Sequence, residues 1–277
     1  MLLVFTHSEP TMPHLTLPHG RLAYDLVGDG PLVVLAPGMG DLRQTWRSIV
    51  APLAAAGFRV ASLDLRGHGA SDTTFPCFRP DDVADDLRAL VAALGGPAIL
   101  VGHSASAAAC LKAAADAPEL VAGVALVGPV ARDPGGNPPP AWLGTVARAV
   151  FLPAWGARLW GWFYRRLFKA APAPDDHVAA VVAALRDPAR RRAMLEVGLS
   201  SKAACAARAS AVRAPVIALI GDQDPDLDPV VEAAWLRDTC GAQVTLLPGV
   251  GHYPHHEAAP VVVAALVALG EATCRAA

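Results

Sequence analysis

Short apolar runs alternate along this chain with longer amphipathic stretches, and that rhythm predicts most of its elements. Leu15–Leu17 and Leu22–Val27 flank His19-Gly20 and are expected to pair as an antiparallel hairpin. Leu32–Ala36 is apolar at every position, as a strand covered on both faces must be, and it ends in Pro37-Gly-Met-Gly40. A helix is predicted from Trp46 to Ala56 and a strand from Phe58 to Leu63. Asp81–Leu94 places Val83, Leu87, Leu90, Val91 and Leu94 on one helical face. Strand Ala98–Val101, helix Ala105–Ala115 and strand Val121–Val127 follow. Apolar strands alternating with amphipathic helices predict an α/β fold, a mostly parallel sheet flanked by helices.

The rhythm breaks at Pro134–Pro140, a Pro- and Gly-rich linker. From Ala141 to Arg213 no strand-like run appears, only helical stretches interrupted by Pro153, Pro172, Pro174 and Pro188. Strands resume at Val216–Ile220 and Gln243–Leu247, and Pro260–Leu269 is the buried face of a last helix. Residues 1–133 and 214–277 are therefore expected to form one core, with 134–213 as a helical lid inserted between two core strands.

Composition narrows the class. A length of 277 residues with 53 % hydrophobic and 17 % charged positions suits one large buried core and argues against disorder. A net charge of -2 gives no electrostatic reason to expect nucleic acid or an anionic membrane as partner. The 5 cysteines are scattered without ligand spacing, which favours reduced thiols in a cytoplasm over disulfides or a zinc site. Met1–Phe5 is too short an apolar run for a cleavable signal, and no stretch approaches the ~20 residues of a membrane helix, so no membrane insertion is expected.

Gly102-His-Ser-Ala-Ser106 stands between a buried strand and a helix. A sharp turn there strains its central residue and lifts the Ser104 hydroxyl above the sheet edge, making it a candidate nucleophile. The Ala105 N–H, at the helix start, would face a developing oxyanion. The loop at Met39 is placed to supply a second N–H, with the Met39 side chain lining an acyl pocket. A serine nucleophile needs a base, and the base an orienting carboxylate. Of the 9 histidines, His252 alone follows the last strand in a Gly-containing turn. His255 and His256 belong to the approach to the last helix, His103 should point away from the nucleophile, and His68 is a turn residue. For the acid, Asp222, Asp224, Asp226 and Asp228 crowd one loop, and Asp133 is a rival in another.

Pro37-Gly-Met-Gly40, Asp64–Asp72 (DLRGHGASD), Gly102–Ser106, Gly221-Asp-Gln-Asp224 and Gly251-His-Tyr-Pro-His255 together resemble the α/β-hydrolase superfamily, specifically its capped esterase, lactonase and cofactor-free haloperoxidase-like branch. The resemblance spans nearly the whole chain outside the insertion. It implies an α/β-hydrolase fold with a triad in the order Ser104, Asp224, His252, the acid falling on the last residue of the G-x-x-D segment. The chain departs from the family at two places: Pro37 stands where a His is common, and Ser106 where a Gly is common. The Asp64–Asp72 segment is expected to be a structural turn, with Arg66 and Asp72 tying loops together.

Four of the 6 tryptophans, Trp142, Trp155, Trp160 and Trp162, fall in the insertion. Most such aromatics bury one another; Trp155, Trp160 and Trp162 are the candidates for a pocket wall above Ser104. Arg158, Arg165, Arg166 and Lys169 form a solvated face or, as an alternative, a clamp for an anionic substrate. The expected activity is hydrolysis of an ester, thioester or lactone of an apolar acyl or aryl small molecule, with no cofactor and no metal. C–C bond hydrolysis, perhydrolysis, and ligand sensing with slow turnover are the alternatives.

Overall fold

The computed structural model describes residues 12–276, so Met1–Phe5 and the expectation attached to it lie outside the described residues. Eight strands form the sheet: β1 (His14–Leu17), β2 (Gly20–Val27), β3 (Leu32–Ala36), β4 (Arg59–Leu63), β5 (Ala98–His103), β6 (Val121–Val127), β7 (Val216–Gly221) and β8 (Gln243–Leu247). Their spatial order is β1-β2-β4-β3-β5-β6-β7-β8. The β1–β2 hairpin forms as expected, and β2 also runs antiparallel to β4. Every pairing from β4 onward is parallel. β3 reads LVVLA and is buried at every position because helices cover both of its faces.

The helices are α1 (Arg47–Ala55), α2 (Pro80–Ala93), α3 (Ser106–Asp116), α4 (Ala141–Phe151), α5 (Gly156–Arg166), α6 (Asp175–Ala184), α7 (Pro188–Leu199), α8 (Ala203–Ala206), α9 (Pro229–Cys240), α10 (Pro254–Glu257) and α11 (Ala259–Ala276). On one face Ile49 and Leu53 of α1 and Val262 and Leu266 of α11 pack on Val33, Val60 and Val101. On the other, Leu87 and Leu90 of α2, the alanines of α3 and Leu236 of α9 pack on Val34, Leu100 and Leu126. Local chemistry fixes several ends. Pro80 opens α2, and the Arg79 N–H donates to the Asp82 carboxylate at 2.9 Å. Asp228 accepts from Val230 and Val231 N–H at the start of α9, and Gly241, at φ 64°, ends it.

Helices α4 to α8 all lie between β6 and β7, and no strand occurs there among the described residues. They meet the core through Leu42, Trp160, Met194 and Leu195, and through Tyr164, Leu167, Phe168 and Tyr253. One boundary differs from the sequence reading. The segment expected to begin a helix at Trp46 starts as a 3-10 turn over Arg43–Trp46. His255 and His256 lie in α10, on the approach to the last helix, which starts only after Glu257. Ala258, at φ -135°, leaves helical geometry and separates α10 from α11. No helix among the described residues is long and apolar enough to cross a membrane.

Candidate active site

β5 ends at His103, and Ser104 occupies the turn into α3 at φ 53°, the only non-glycine residue with positive φ among those described. Such a conformation costs about 1–3 kcal/mol and persists only where the surroundings enforce it. Here Ser104 N donates to Val127 O at 3.2 Å, while its carbonyl accepts from Val130 N at 3.0 Å and Ala107 N at 3.1 Å. The turn also demands small neighbours. A Cβ on Gly102 would come within 2.8 Å of both Cys110 Sγ and Ser106 O, and one on Gly38 within 3.0 Å of Ser104 Cβ. Ser106, standing where a glycine is common, uses its hydroxyl: Oγ donates to the Pro37 carbonyl at 2.5 Å, tying the first turn of α3 to the loop after β3. Neither Met39 N–H nor Ala105 N–H is engaged in a hydrogen bond among the described residues.

His252 follows β8 in the loop before α10, and its Nδ1 lies 2.7 Å from Asp224 Oδ2. A carboxylate only accepts, so Nδ1 carries the proton and Nε2 keeps its lone pair. The His252 N–H donates to Leu167 O at 2.8 Å, so the insertion itself holds this backbone. Glu257 adds to the same join, accepting from Gly251 N at 3.2 Å on one side and Lys169 N at 2.7 Å on the other. Burial opposes a charge on His252, but the Asp224 carboxylate outweighs it, helped by Asp226 and Glu257, and raises its pKa. Asp226 Oδ2 lies 3.7 Å from Nε2, the ring nitrogen away from Asp224.

Asp226 therefore lies at the ring without touching Nδ1, and the other three rival acids are engaged elsewhere. Asp222 accepts from Gly249 N at 2.7 Å, and Asp228 caps α9. Asp133 accepts from Ser201 Oγ at 2.5 Å and Lys202 N at 2.9 Å, fastening the end of the insertion to the loop after β6. His103 turns beneath the His252 loop, where its Nε2 donates to His252 O at 2.9 Å. Burial and the nearby His252 push its pKa down to about 3, so it stays neutral. His68 sits in a turn with Nδ1 on Arg66 O, and Arg66 grips Asp86 through two bonds of 2.7 and 2.6 Å. Asp72 accepts from Arg21 N at 2.9 Å, so both expected loop ties exist.

The pocket-wall candidates divide. Trp160 is buried, and its Nε1 donates to Gly40 O at 3.1 Å. The Met39 side chain reaches the insertion, since a Cβ on Gly198 of α7 would meet its Sδ at 2.2 Å. Trp155 and Trp162 are 63 % and 57 % exposed. That corrects the expectation of a wall role for them. The helix buries Ala157, Trp160, Gly161 and Tyr164, and this spacing turns residues 155, 158 and 162 outward. A cavity of about 330 Å³ opens between the loops after β6 and β7, where Pro129, Val130, Leu227 and Val231 line it together with the charged Arg132, Asp133, Asp226, Asp228 and Glu232.

A further buried group lay outside the sequence reading. Asp41, two residues after Met39, accepts from Tyr164 Oη at 3.1 Å and pairs with His177 Nε2 at 2.7 Å. Nearby, Thr45 Oγ1 and His255 Nε2 are 3.0 Å apart. These contacts join positions more than a hundred residues apart, and nothing in their local sequence announces them.

Comparison with known proteins agrees with the fold. A match to the Alpha/beta hydrolase family covers residues 33–266, and the chain belongs to that family. An uncharacterized protein of Mycobacterium tuberculosis is 33 % identical over 121 residues, 43 % of this chain and 35 % of that protein. The 2-(acetamidomethylene)succinate hydrolase of Mesorhizobium japonicum is 36 % identical over 101 residues, 36 % of each chain. These matches span about a third of the length of the curated relatives. Among solved structures, the enol-lactonase of Burkholderia xenovorans LB400 superposes with a TM-score of 0.76 at 22 % identity, over 93 % of this chain and 99 % of that one. The bromoperoxidase of Bacillus anthracis gives 0.79 at 17 % identity, over 91 % and 96 %. At such identities the likeness to these structures is one of fold.

Proposed function

We propose that this α/β-hydrolase cleaves an ester, thioester or lactone of an apolar small molecule through an acyl-serine intermediate. The observations that carry the reading are a strained Ser104 at the turn after β5 and a His252 whose Nδ1 is held 2.7 Å from Asp224. In this scheme His252 Nε2 takes the Ser104 proton as Oγ attacks the carbonyl carbon. The Met39 and Ala105 N–H groups receive the oxyanion, and the leaving group departs with the proton from Nε2. Water, deprotonated by the same nitrogen, then releases the acid. The scheme calls for no cofactor or metal. Met39, packed with Trp160 at the join between core and insertion, supports an apolar acyl or aryl group. Five free cysteines suit a cytoplasmic setting.

A phosphonate probe should label Ser104, and Ser104→Ala should abolish turnover of p-nitrophenyl esters, lactones and acyl thioesters without lowering thermal stability. Labelling of another serine, or undiminished turnover, overturns the reading. Closure of the site favours one second reading, capture of a ligand with slow hydrolysis, since Ser104 and His252 are both buried. That reading expects a single turnover where the first expects many.

A further inference from the structure

We propose that the outer face of the insertion, residues 141–169, docks on a bilayer surface carrying anionic headgroups. This inference is independent of the bond the enzyme cleaves. It rests on what α4 and α5 leave uncovered. α4 reads AWLGTVARAVF and buries none of its residues, leaving Trp142 65 % and Val146 49 % exposed and Leu143 open beside them. α5 buries Ala157, Trp160, Gly161 and Tyr164 against the core side, so its other face presents Trp155, Arg158, Trp162, Arg165 and Arg166 to solvent. Three tryptophans and two aliphatic side chains left open to solvent within or beside two packed helices are the kind of exposed apolar groups that mark an interaction site.

Charge identifies the partner. Between 141 and 169 stand Arg148, Arg158, Arg165, Arg166 and Lys169, and no Asp or Glu. Only Arg165 has an ion-pair partner among the described residues, Asp175. The Arg166 guanidinium lies over the Trp162 ring at 4.7 Å, so cation and indole are offered together. The asymmetry extends beyond these helices. Residues 134–213 carry twelve Lys or Arg against four Asp or Glu, in a chain whose net charge is -2. The remainder is therefore acidic, and an anionic surface would attract the insertion while repelling the core, fixing the orientation of approach. Tryptophan settles at the headgroup level, aliphatic side chains just below it, and Lys or Arg against lipid phosphates. A second copy presenting the same cationic face would be repelled, and a nucleic acid would leave Leu143 and Val146 without a matching surface. With no helix able to cross a bilayer among the described residues, the mode is one of lying on the surface.

The experiment is co-sedimentation of the full chain with vesicles of phosphatidylcholine alone or mixed with phosphatidylglycerol, with tryptophan emission recorded in parallel. Binding should appear with the mixed vesicles, shift the emission to the blue and weaken as salt is raised. Replacing Arg148, Arg158 and Arg166 together by Glu should lower the affinity by roughly a hundredfold, at an unchanged melting temperature. Trp142→Ala should weaken binding and leave turnover of a soluble ester unchanged. Absence of binding to mixed vesicles at low salt, or equal binding to neutral ones, overturns the proposal. So does a concentration-dependent dimer in sedimentation velocity that the arginine substitutions abolish, or tighter binding of duplex DNA than of mixed vesicles.

Discussion

Asp226 holds its carboxylate 3.7 Å from His252 Nε2, while Asp224 holds Nδ1 at 2.7 Å, so the imidazole is bracketed by negative charge at both nitrogens. One carboxylate bonds the ring at Nδ1; the second faces the nitrogen that would accept the serine proton in the proposed reaction. Among the groups packed round this ring, Asp224, Asp226 and Glu257 favour the imidazolium, and the neighbouring His103 is neutral.

A raised His252 pKa displaces the acid limb of activity upward, because only the unprotonated imidazole can act as base. The limb of kcat/KM should therefore fall above ~6.5, the ordinary histidine value. Asp226→Asn removes one of the charges that favour the imidazolium, and the limb should move to lower pH with Asp224 still in place. A pH–rate profile identical in the two proteins would show that Asp226 does not act on the base.

Asp224→Asn should lower kcat by roughly 10⁴, since the imidazole loses both its tautomer and its orientation. Asp133→Asn should behave differently. Asp133 bonds to Ser201 and Lys202, not to His252, so its loss should lower the melting temperature more than it lowers kcat. Measuring both variants by steady-state kinetics and thermal melting separates the two carboxylates, and the reverse pattern would move the triad acid to Asp133.

Asp41→Ala should cost about 3–5 kcal/mol of stability, because it strips a buried partner from His177, Tyr164 and the Leu42 N–H. The pH dependence follows from its charge. Burial opposes ionisation of Asp41, but the His177 hydrogen bond and charge outweigh it and hold the carboxyl below the usual range. A depressed carboxyl contributes stability above its unfolded pKa and loses it as pH falls through the folded value. Thermal melts at and below about pH 4, the ordinary aspartate range, should be steeper in pH for the wild type than for the variant.

Ser106→Ala removes the bond between α3 and the Pro37 carbonyl. One such bond contributes about 0.5–1.5 kcal/mol, and if the loop carrying Met39 loosens, kcat should fall up to about tenfold with KM little changed. An unaltered kcat would mean that the loop is held in place without it.

Much of this was legible in the sequence because the relevant signals are local. The strand boundaries follow apolar runs, and Ser104 announces itself through a turn flanked by Gly102 and Ser106, whose close packing admits only small neighbours. The two departures from the family pattern, at Pro37 and Ser106, are joined in space by a hydrogen bond that neither position suggests alone. Contacts across the insertion were not legible. Asp41 with Tyr164 and His177, and Glu257 with Lys169, depend on how a helical layer settles on the sheet, which periodicity does not encode. The tryptophans show the same limit: composition marked the cluster as aromatic, but only the facing of α5 separates buried Trp160 from exposed Trp155 and Trp162.

Trp160, Tyr164 and His177 all fasten on Gly40 and Asp41, two consecutive residues of the segment that also carries Met39. This has a consequence for recombination. A chimera that exchanges residues 134–213 with those of a relative, but keeps the native 37–41 segment, would set foreign side chains against the Gly40 carbonyl and the buried Asp41 carboxylate that these three bond. The two pieces, separated by about ninety positions in the gene, form one heritable unit and must be transplanted together.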